Sequence, residues 1–285
     1  MSRPVVVMAP AKINLTLEVL GRRADGYHDL ASVFATVDVR DRVRVASSKK
    51  LDVRIAPDIG ATEGEDLATK AVRALAQASG RAPLAHVRVK KRIPVAAGLG
   101  GGSSDAGAVL RALTRLWRLD GLDLGAVGAR VGSDVPFFAS GAPYALVRGR
   151  GERVEPLSVA VGLWIALVDL RARVSTADAF RAHRGTGSTG ERSASLAEAL
   201  RRGNTTPAVI REHLVNDLTG AAERIAPLIA ETRKTAADAG IALAMSGSGP
   251  SLFALADDRA HAIRIARRLR RSGLRARAVA LGVSS

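Results

Sequence analysis

The sequence predicts an α+β protein of two domains, and three observations lead to this fold class. The chain has 285 residues, which is long for one ordinary hydrophobic core and sufficient for two packed domains. Its first third alternates apolar and polar residues as strands do, whereas its last third mixes strands and helices without the regular repeat of a wound parallel sheet. Because Pro156 interrupts the pattern, we expect an N-terminal domain over residues 1–157 and a C-terminal domain over residues 158–285.

Alternating apolar residues predict the strands of the first third. The alternation runs through four groups, which are Ile13, Leu15, Leu17 and Val19; Val33, Ala35, Val37 and Val39; Val43 and Val45; and Leu51, Val53 and Ile55. Asp66 is expected to cap a helix through Ser79, and Gly80 is expected to stop it. A strand over residues 87–93, closed by Pro94, follows.

The second half predicts further elements in a less regular order. They are a strand over 163–168, a helix over 176–182, a Gly/Ser/Thr linker over 185–193, a helix over 221–239, strands over 241–245 and 251–256, a helix over 259–271 and a strand over 276–281. The last helix is rich in arginine, and its spacing is expected to turn Ile263, Ala266 and Leu269 toward the core.

Composition and charge exclude several classes of function. The chain has no cysteine, which rules out disulfides, thiolate catalysis and Cys-based zinc sites. The net charge of +16 raises the alternative of nucleic-acid binding, but the basic residues are spread along the chain and are interpreted mainly as solvated surface. No secretory signal is recognised, and the apolar run over residues 159–170 is too short to cross a bilayer. We therefore expect a cytoplasmic protein.

A glycine-rich loop opens a helix in the middle of the chain. Residues 98–105 read Gly-Leu-Gly-Gly-Gly-Ser-Ser-Asp, and apolar residues then recur at helical spacing. Glycines at a helix start leave backbone N–H groups free to point at one anion, and the hydroxyls of Ser103 and Ser104 add donors. No Gly-Lys-Ser/Thr follows, and the glycine spacing is not that of a dinucleotide site. The loop is therefore predicted to bind phosphate.

Three further patterns are weak when each is taken alone. Lys12 and Asn14 lie two apart in a predicted strand and share one face, although a solvated strand face is the ordinary interpretation. Asp134 lies between a glycine and a proline-containing apolar segment, where it is either a turn residue or a general base. Residues 246–251 supply a second glycine turn between two strands.

Together these segments resemble the motifs of the GHMP small-molecule kinases, in that family's order and at about its spacing. The matching segments are residues 10–14, 95–106, 132–137 and 246–251, and the resemblance covers nearly the whole chain. The segment Asp-Gly-Tyr-His over residues 25–28, with 174–180 and 216–218, is similar to the branch that phosphorylates the 2-hydroxyl of 4-diphosphocytidyl-2-C-methyl-D-erythritol in the non-mevalonate isoprenoid pathway.

The resemblance implies a GHMP kinase fold, with an N-terminal domain like domain 2 of ribosomal protein S5 and a ferredoxin-like C-terminal domain. It implies ATP and Mg²⁺ as cofactors, no protein metal ligands, and a monomer or homodimer. Asp134 would be the base with Lys12 beside it, and the residues implied in substrate binding are Asn14, Tyr27, His28, Thr176 and Phe180. Those implied in holding ATP are Pro94, Val95, Ala96, Ala97, Gly98, Leu99, Gly100, Gly101, Gly102, Ser103 and Ser104.

Three alternatives stay open at this point. The chain could be a GHMP kinase for another alcohol such as mevalonate or homoserine, although Tyr27 and His28 argue against it. It could be a basic nucleic-acid-binding protein, but it lacks aromatic residues interleaved on a basic surface. A catalytically inactive sensor of the same fold is disfavoured because Lys12, Asn14 and Asp134 are all present.

Overall fold

The computed structural model describes residues 3–58, 60, 64–159, 162–185, 187–203 and 205–284. Its strands are β1 Val5–Asn14, β2 Thr16–Arg22, β3 His28–Ser47, β4 Asp52–Ala56, β5 Ala85–Lys90, β6 Tyr144–Gly149, β7 Arg153–Leu157, β8 Trp164–Val168, β9 Val215–Asn216, β10 Ala244–Met245, β11 Leu252–Ala256 and β12 Ala276–Ala280. Its helices are α1 Leu67–Ala78, α2 Gly101–Trp117, α3 Leu124–Ala129, α4 Val135–Ser140, α5 Thr176–Ala182, α6 Glu191–Arg201, α7 Pro207–His213, α8 Thr219–Ile225, α9 Leu228–Asp238 and α10 Arg259–Arg271.

The larger sheet is organised around β3, a strand of 20 residues. β3 pairs antiparallel with β1, β2, β5 and β6, so one strand supports most of the sheet. Its register against β1 shifts between Pro10 and Ala11, because a proline has no N–H to donate to the ladder. Helices α1 and α2 bury their apolar stripes against this sheet, as the residues shared by one core cluster show. The sheet and α2 therefore fix the start of the glycine loop.

The smaller sheet has the order β10-β11-β8-β12 and is antiparallel throughout. Its inner face shares a core with the larger sheet, since Ile13 of β1, Ile165 of β8 and Phe253 of β11 are all fully buried in one cluster. Short β9 crosses over to pair parallel with β2. The two halves of the chain are therefore packed face to face around a joint interior. The division at residue 157 stays a prediction.

Most predicted elements are present, and the differences have local causes. The helix predicted over 221–239 is two helices, α8 and α9, because Pro227 cannot continue a helix and instead caps the second one. In α10 the buried residue is Ile265 rather than Ile263, which is only half-buried. The strand predicted over 241–245 is reduced to the two residues of β10.

Four helices have no counterpart in the predictions: α3, α4, α6 and α7. Three of them have only six or seven residues, and helices of that length have little periodicity to detect and depend on packing against their neighbours. Helix α6 has 11 residues and begins inside the segment predicted as a linker over 185–193, of which residue 186 lies outside the described residues. No helix within the described part of the chain is long and apolar enough to cross a membrane.

Candidate active site

A cavity of about 950 Å³ lies between the glycine loop, β1, the turn before α4, and α5. Almost every residue predicted for the site lies on its wall, which comprises Lys12, Asn14, Tyr27, His28, Pro94 to Ser103, Asp134, Thr176 and Phe180 among others. Residues from positions as far apart as 12 and 180 thus meet in one space. Its size is that of a small-molecule site.

The glycine loop is held tightly from two sides. The carbonyl of Leu99 accepts the N–H of Lys12 at 2.9 Å, which ties the loop to β1. Gly98 has φ +71°, and a Cβ there would lie 2.6 Å from the carbonyl oxygen of Ser246 and 2.7 Å from that of Gly249. Only glycine allows this left-handed conformation and this close approach of two backbones. The loop and the 246–249 turn therefore form one rigid wall.

Helix α2 begins within the loop and points its first turn toward the cavity. Gly100, the N-cap, has φ +68° and offers no side-chain cap. The N–H groups of Gly101, Gly102 and Ser103 precede the point at which intrahelical bonding starts, so they remain available to an anion, and the helix dipole adds positive character. These three residues also line the cavity. The first turn therefore has the chemistry of a phosphate site.

Ser104 is the predicted ATP-binding residue that does not line the cavity. Its hydroxyl donates to the carbonyl of Pro10 at 2.6 Å, its N–H donates to the carbonyl of Gly100 at 2.9 Å, and it is buried. A helical residue at this position faces the sheet, because it lies on the same stripe as Ala108. Ser104 fastens α2 to β1 and does not reach the cavity.

Lys12, Asn14 and Asp134 form a compact polar group at one end of the cavity. The Lys12 ammonium donates to Oδ1 of Asn14 at 2.7 Å and lies 3.6 Å from Oδ2 of Asp134. The side chain of Lys12 is only 5% exposed, whereas that of Asp134 is 30% exposed. The lysine is thus a fixed, desolvated cation, and the carboxylate beside it remains open to a ligand.

A chain of hydrogen bonds fixes this group in place. The amide nitrogen of the Asn14 side chain donates to the hydroxyl of Ser32 at 2.9 Å, which leaves its oxygen for Lys12. The hydroxyl of Ser246 accepts the N–H of Asn14 at 3.4 Å and donates to the carbonyl of Gly98 at 3.0 Å. Ser246 therefore connects the lysine strand to the glycine loop. The sequence places Ser246 in a turn but gives no signal for Ser32.

Aromatic side chains line another part of the cavity wall. Tyr27 is 51% exposed, and its ring faces the guanidinium of Arg150 at 5.1 Å from the ring centroid. His28 and Phe180 stack on each other with centroids 5.1 Å apart and an angle of 22° between planes. Burial, together with the charge of nearby Arg22, lowers the pKa of His28, which favours the neutral form of its ring. A neutral imidazole can both donate and accept hydrogen bonds.

Thr176 lies at the start of α5, on the same wall. Its hydroxyl shares a hydrogen bond of 3.0 Å with that of Ser248, which belongs to the turn that packs on the glycine loop. The helix is capped by Ser175, whose hydroxyl accepts the N–H of Asp178. Thr176 is therefore held between the aromatic region and the loop.

A buried charged cluster, formed by Asp41, Lys91 and Asp105, has no counterpart in the sequence predictions. The Lys91 ammonium pairs with Asp41 and lies 2.6 Å from Oδ2 of Asp105. Asp41 also accepts the N–H of Ile93 at 2.9 Å. Burial raises the pKa of Asp105 to about 7, against the opposing effect of Lys91. The cluster anchors the segment just before the glycine loop to both β3 and α2.

No group of three or more His, Cys, Asp or Glu side chains placed to hold a metal ion occurs among the described residues. The site therefore offers a metal at most isolated protein oxygens, such as those of Asp134. This donor set fits Mg²⁺, which keeps several waters and binds through phosphate oxygens and one or two carboxylates.

Comparisons with known proteins identify the family of this chain. The family model described as GHMP kinases N terminal domain matches residues 66–142, and that described as GHMP kinases C terminal matches residues 196–274. A 4-diphosphocytidyl-2-C-methyl-D-erythritol kinase from Azorhizobium caulinodans is 42% identical and covers 93% of this chain and 94% of its own length. The relative of the same name from Gloeobacter violaceus is 39% identical, with coverage of 91% and 88%.

A solved structure gives the same result. The crystal structure of a 4-(cytidine 5'-diphospho)-2C-methyl-D-erythritol kinase matches with a TM-score of 0.77 at 37% identity, covering 98% of this chain and 100% of that one. The resemblance and the fold class predicted from the sequence are thereby confirmed. Since such identity extends over nearly the whole of both chains, this chain belongs to the GHMP kinases and, within them, to the 4-diphosphocytidyl-2-C-methyl-D-erythritol kinase family.

Proposed function

We propose that this chain transfers the γ-phosphoryl group of ATP to the 2-hydroxyl of 4-diphosphocytidyl-2-C-methyl-D-erythritol. One observation carries the proposal. A glycine-rich helix start, a carboxylate beside a buried lysine, and an aromatic region line a single cavity. Each part suits one chemical group of the substrates: the helix start suits a triphosphate, the carboxylate suits an alcohol to be activated, and the aromatic region suits a nucleobase.

The glycine loop is suited to the phosphates of ATP. A loop without side chains lets the anion approach the backbone, and the first N–H groups of α2 would face its oxygens. We assign residues 94–103 to this role and remove Ser104, whose hydroxyl and N–H are both engaged within the protein. Mg²⁺ would be held through phosphate oxygens and water, and it would neutralise charge on the transferred group.

Asp134 is the candidate base. Phosphoryl transfer depends mainly on in-line placement and on compensation of charge, with one group positioned to accept the proton of the attacking hydroxyl. Asp134 is partly exposed to the cavity and is the carboxylate nearest to Lys12 among the described residues. Lys12 would offset negative charge on the moving phosphoryl group, and Asn14 would fix the orientation of the ammonium.

The aromatic region is suited to the cytosine end of the substrate. The exposed ring of Tyr27 offers a stacking face, and neutral His28 offers hydrogen bonds to the edge of a base. Phe180 is proposed as a second ring, and Thr176 as a polar contact. Phe180 is already stacked on His28, so the two rings form one aromatic surface on the cavity wall.

One experiment tests the proposed function. ADP release from ATP and Mg²⁺ is measured with 4-diphosphocytidyl-2-C-methyl-D-erythritol, with mevalonate, with homoserine and without any alcohol. We expect release only with the cytidylated alcohol, and phosphate on its 2-hydroxyl by phosphorus NMR. Release with another alcohol instead would reassign the substrate, and no release with any of them would refute kinase activity. A cytoplasmic location and a monomeric or homodimeric state stay predictions.

A further inference from the structure

A second cavity, of about 760 Å³, lies at the β10 edge of the smaller sheet, between α7, α9 and α10. Four arginines line it, namely Arg211, Arg233, Arg264 and Arg268, and we call it the basic cavity. Among the described residues of its wall, Asp257 has the only acidic side chain. Its volume is that of a site for a small organic molecule.

Two of the four arginines are held by partners within the protein. The guanidinium of Arg211 pairs with Asp257. That of Arg233 pairs with Glu223 at 2.5 Å, and its Nε donates to the carbonyl of Leu243 at 3.3 Å. These contacts compensate the charge of both side chains and fix their positions on the wall.

The other two arginines, Arg264 and Arg268, have no such compensation. They lie one turn apart on α10 and therefore share a face of that helix. Within the described part of the chain, neither guanidinium forms a hydrogen bond or a salt bridge. A Cβ on Gly240 would lie 3.5 Å from Nη2 of Arg268, so this guanidinium lies over the turn that follows α9. The wall thus carries two uncompensated positive charges, and both side chains are exposed to an incoming ligand.

Apolar side chains form much of the remaining wall of the basic cavity. Leu214 and Val215 lie on it and are half-buried, and Ile265 follows Arg264 on α10. Guanidinium groups bind phosphate oxygens through paired hydrogen bonds, and apolar wall atoms gain when a hydrocarbon group removes them from water. The wall therefore suits a molecule that has an anionic head and an apolar body.

The basic cavity is separate from the active-site cavity. Asn216 and Met245 line the basic cavity, whereas Gly247 lines the active-site cavity. The side-chain nitrogen of Asn216 donates to the carbonyls of Met245 and Gly247, each at 2.8 Å, and this hydrogen-bonded turn stands between the two spaces. Among the described residues the two walls have no residue in common.

We propose that the basic cavity is a second ligand site, which binds an organic diphosphate that carries a short apolar chain. Two uncompensated guanidiniums match a head group with two or more negative charges. Inorganic phosphate alone would leave the apolar wall in contact with water, and a neutral hydrocarbon would leave both guanidiniums without a partner. The inference goes beyond the proposed function, because it concerns another cavity and does not depend on phosphoryl transfer.

The test is the affinity of the whole protein for hexyl diphosphate, measured by calorimetry with Mg²⁺ and a saturating nonhydrolysable ATP analogue. The analogue occupies the glycine loop, so we expect the binding that remains to be at the basic cavity. The double variant Arg264→Gln, Arg268→Gln should weaken this binding by about 10- to 100-fold, through loss of charge-assisted contacts. Pyrophosphate, which has no chain, should bind the unaltered protein at least about tenfold more weakly.

A second double variant, Arg267→Gln, Arg271→Gln, is the matched control. It removes the same charge from the same helix, but neither residue lines the basic cavity. Because the long-range field of the helix changes equally in both double variants, only direct contact distinguishes them. The control should therefore change the affinity for hexyl diphosphate by less than about threefold.

Three results would overturn the inference. Binding that disappears when the ATP analogue is present would place the diphosphate in the glycine loop, and equal losses in the two double variants would indicate a diffuse attraction to a basic surface. Pyrophosphate that binds as tightly as hexyl diphosphate would contradict the apolar part of the ligand. None of these measurements uses turnover, so each leaves the proposed kinase activity intact, and failure of the kinase assay leaves this inference to be decided by binding alone.

Discussion

Replacement of Gly98 by alanine tests whether the glycine loop depends on backbone contact. Two effects add at this position. The φ of +71° disfavours any residue with a Cβ by about 1–2 kcal/mol. The new Cβ would also lie 2.6 Å from the Ser246 carbonyl and 2.7 Å from that of Gly249, and neither backbone atom can rotate away. Overpacking of this kind adds about 1–3 kcal/mol.

Gly121 provides a matched control for the first effect alone. It has φ +72°, and a Cβ added there would have nothing within 4 Å, so Gly121→Ala carries the strain without the collision. Urea unfolding should show a loss of about 1–2 kcal/mol for Gly121→Ala and about 2–5 kcal/mol for Gly98→Ala. Gly98→Ala should also raise the KM for ATP, whereas Gly121→Ala should not. Equal unfolding free energies in the two variants would refute the packing argument.

Three further predictions concern the cavity and its support. Asp134→Asn should lower kcat by about 10²- to 10⁴-fold while ATP affinity, measured by calorimetry, is retained; near-normal turnover would remove Asp134 as the base. Tyr27→Ala should raise the KM for the cytidylated alcohol by about tenfold, through loss of a stacking face, and leave the KM for ATP unchanged; an unchanged KM for the alcohol would move the cytosine site elsewhere. Asp105 has a folded pKa of about 7, above its ordinary value of 3.8, so its contribution to stability is present at low pH and is lost as the pH rises toward 7. Asp105→Asn cannot ionise and should therefore reduce the fall in unfolding free energy between pH 5 and pH 8 by roughly 2–3 kcal/mol, and an unaltered pH dependence in urea unfolding would contradict the raised pKa.

The elements that could be predicted are those whose pattern is local. Helix α1 begins after the N-cap Asp66 and is followed by Gly80, which has a positive φ. Both residue types are recognisable helix-end signals in the sequence. The strands around Ile13 and Val33 alternate clearly, but the extension of β3 to 20 residues depends on partners on both sides. Helix α4 follows Asp134 in a segment interpreted as a turn, because six residues carry no periodic signal.

Residues of the candidate site could be predicted where a local sequence motif indicates both their chemistry and the element on which they lie. Residues that meet only through long-range contacts could not. Lys12 and Asn14 share a face because residues alternate along a strand. Ser104 lies at a helix start, which predicts phosphate binding. Its side chain, however, is on the face of the helix that packs on β1, where its hydroxyl donates to the carbonyl of Pro10. The cluster around Lys91 joins residues 41, 91 and 105, and nothing local in the sequence indicates that they meet. Arg150 carries one usable signal, the glycines on either side of it.

The most direct test of the central claim is a crystal structure of the protein with a nonhydrolysable ATP analogue and the cytidylated alcohol. We expect the triphosphate to contact the backbone amides of residues 98–103, and the 2-hydroxyl of the alcohol to lie within hydrogen-bond distance of the Asp134 carboxylate and in line with the γ-phosphorus. A triphosphate bound away from residues 98–103, or a hydroxyl directed away from Asp134, would contradict the account.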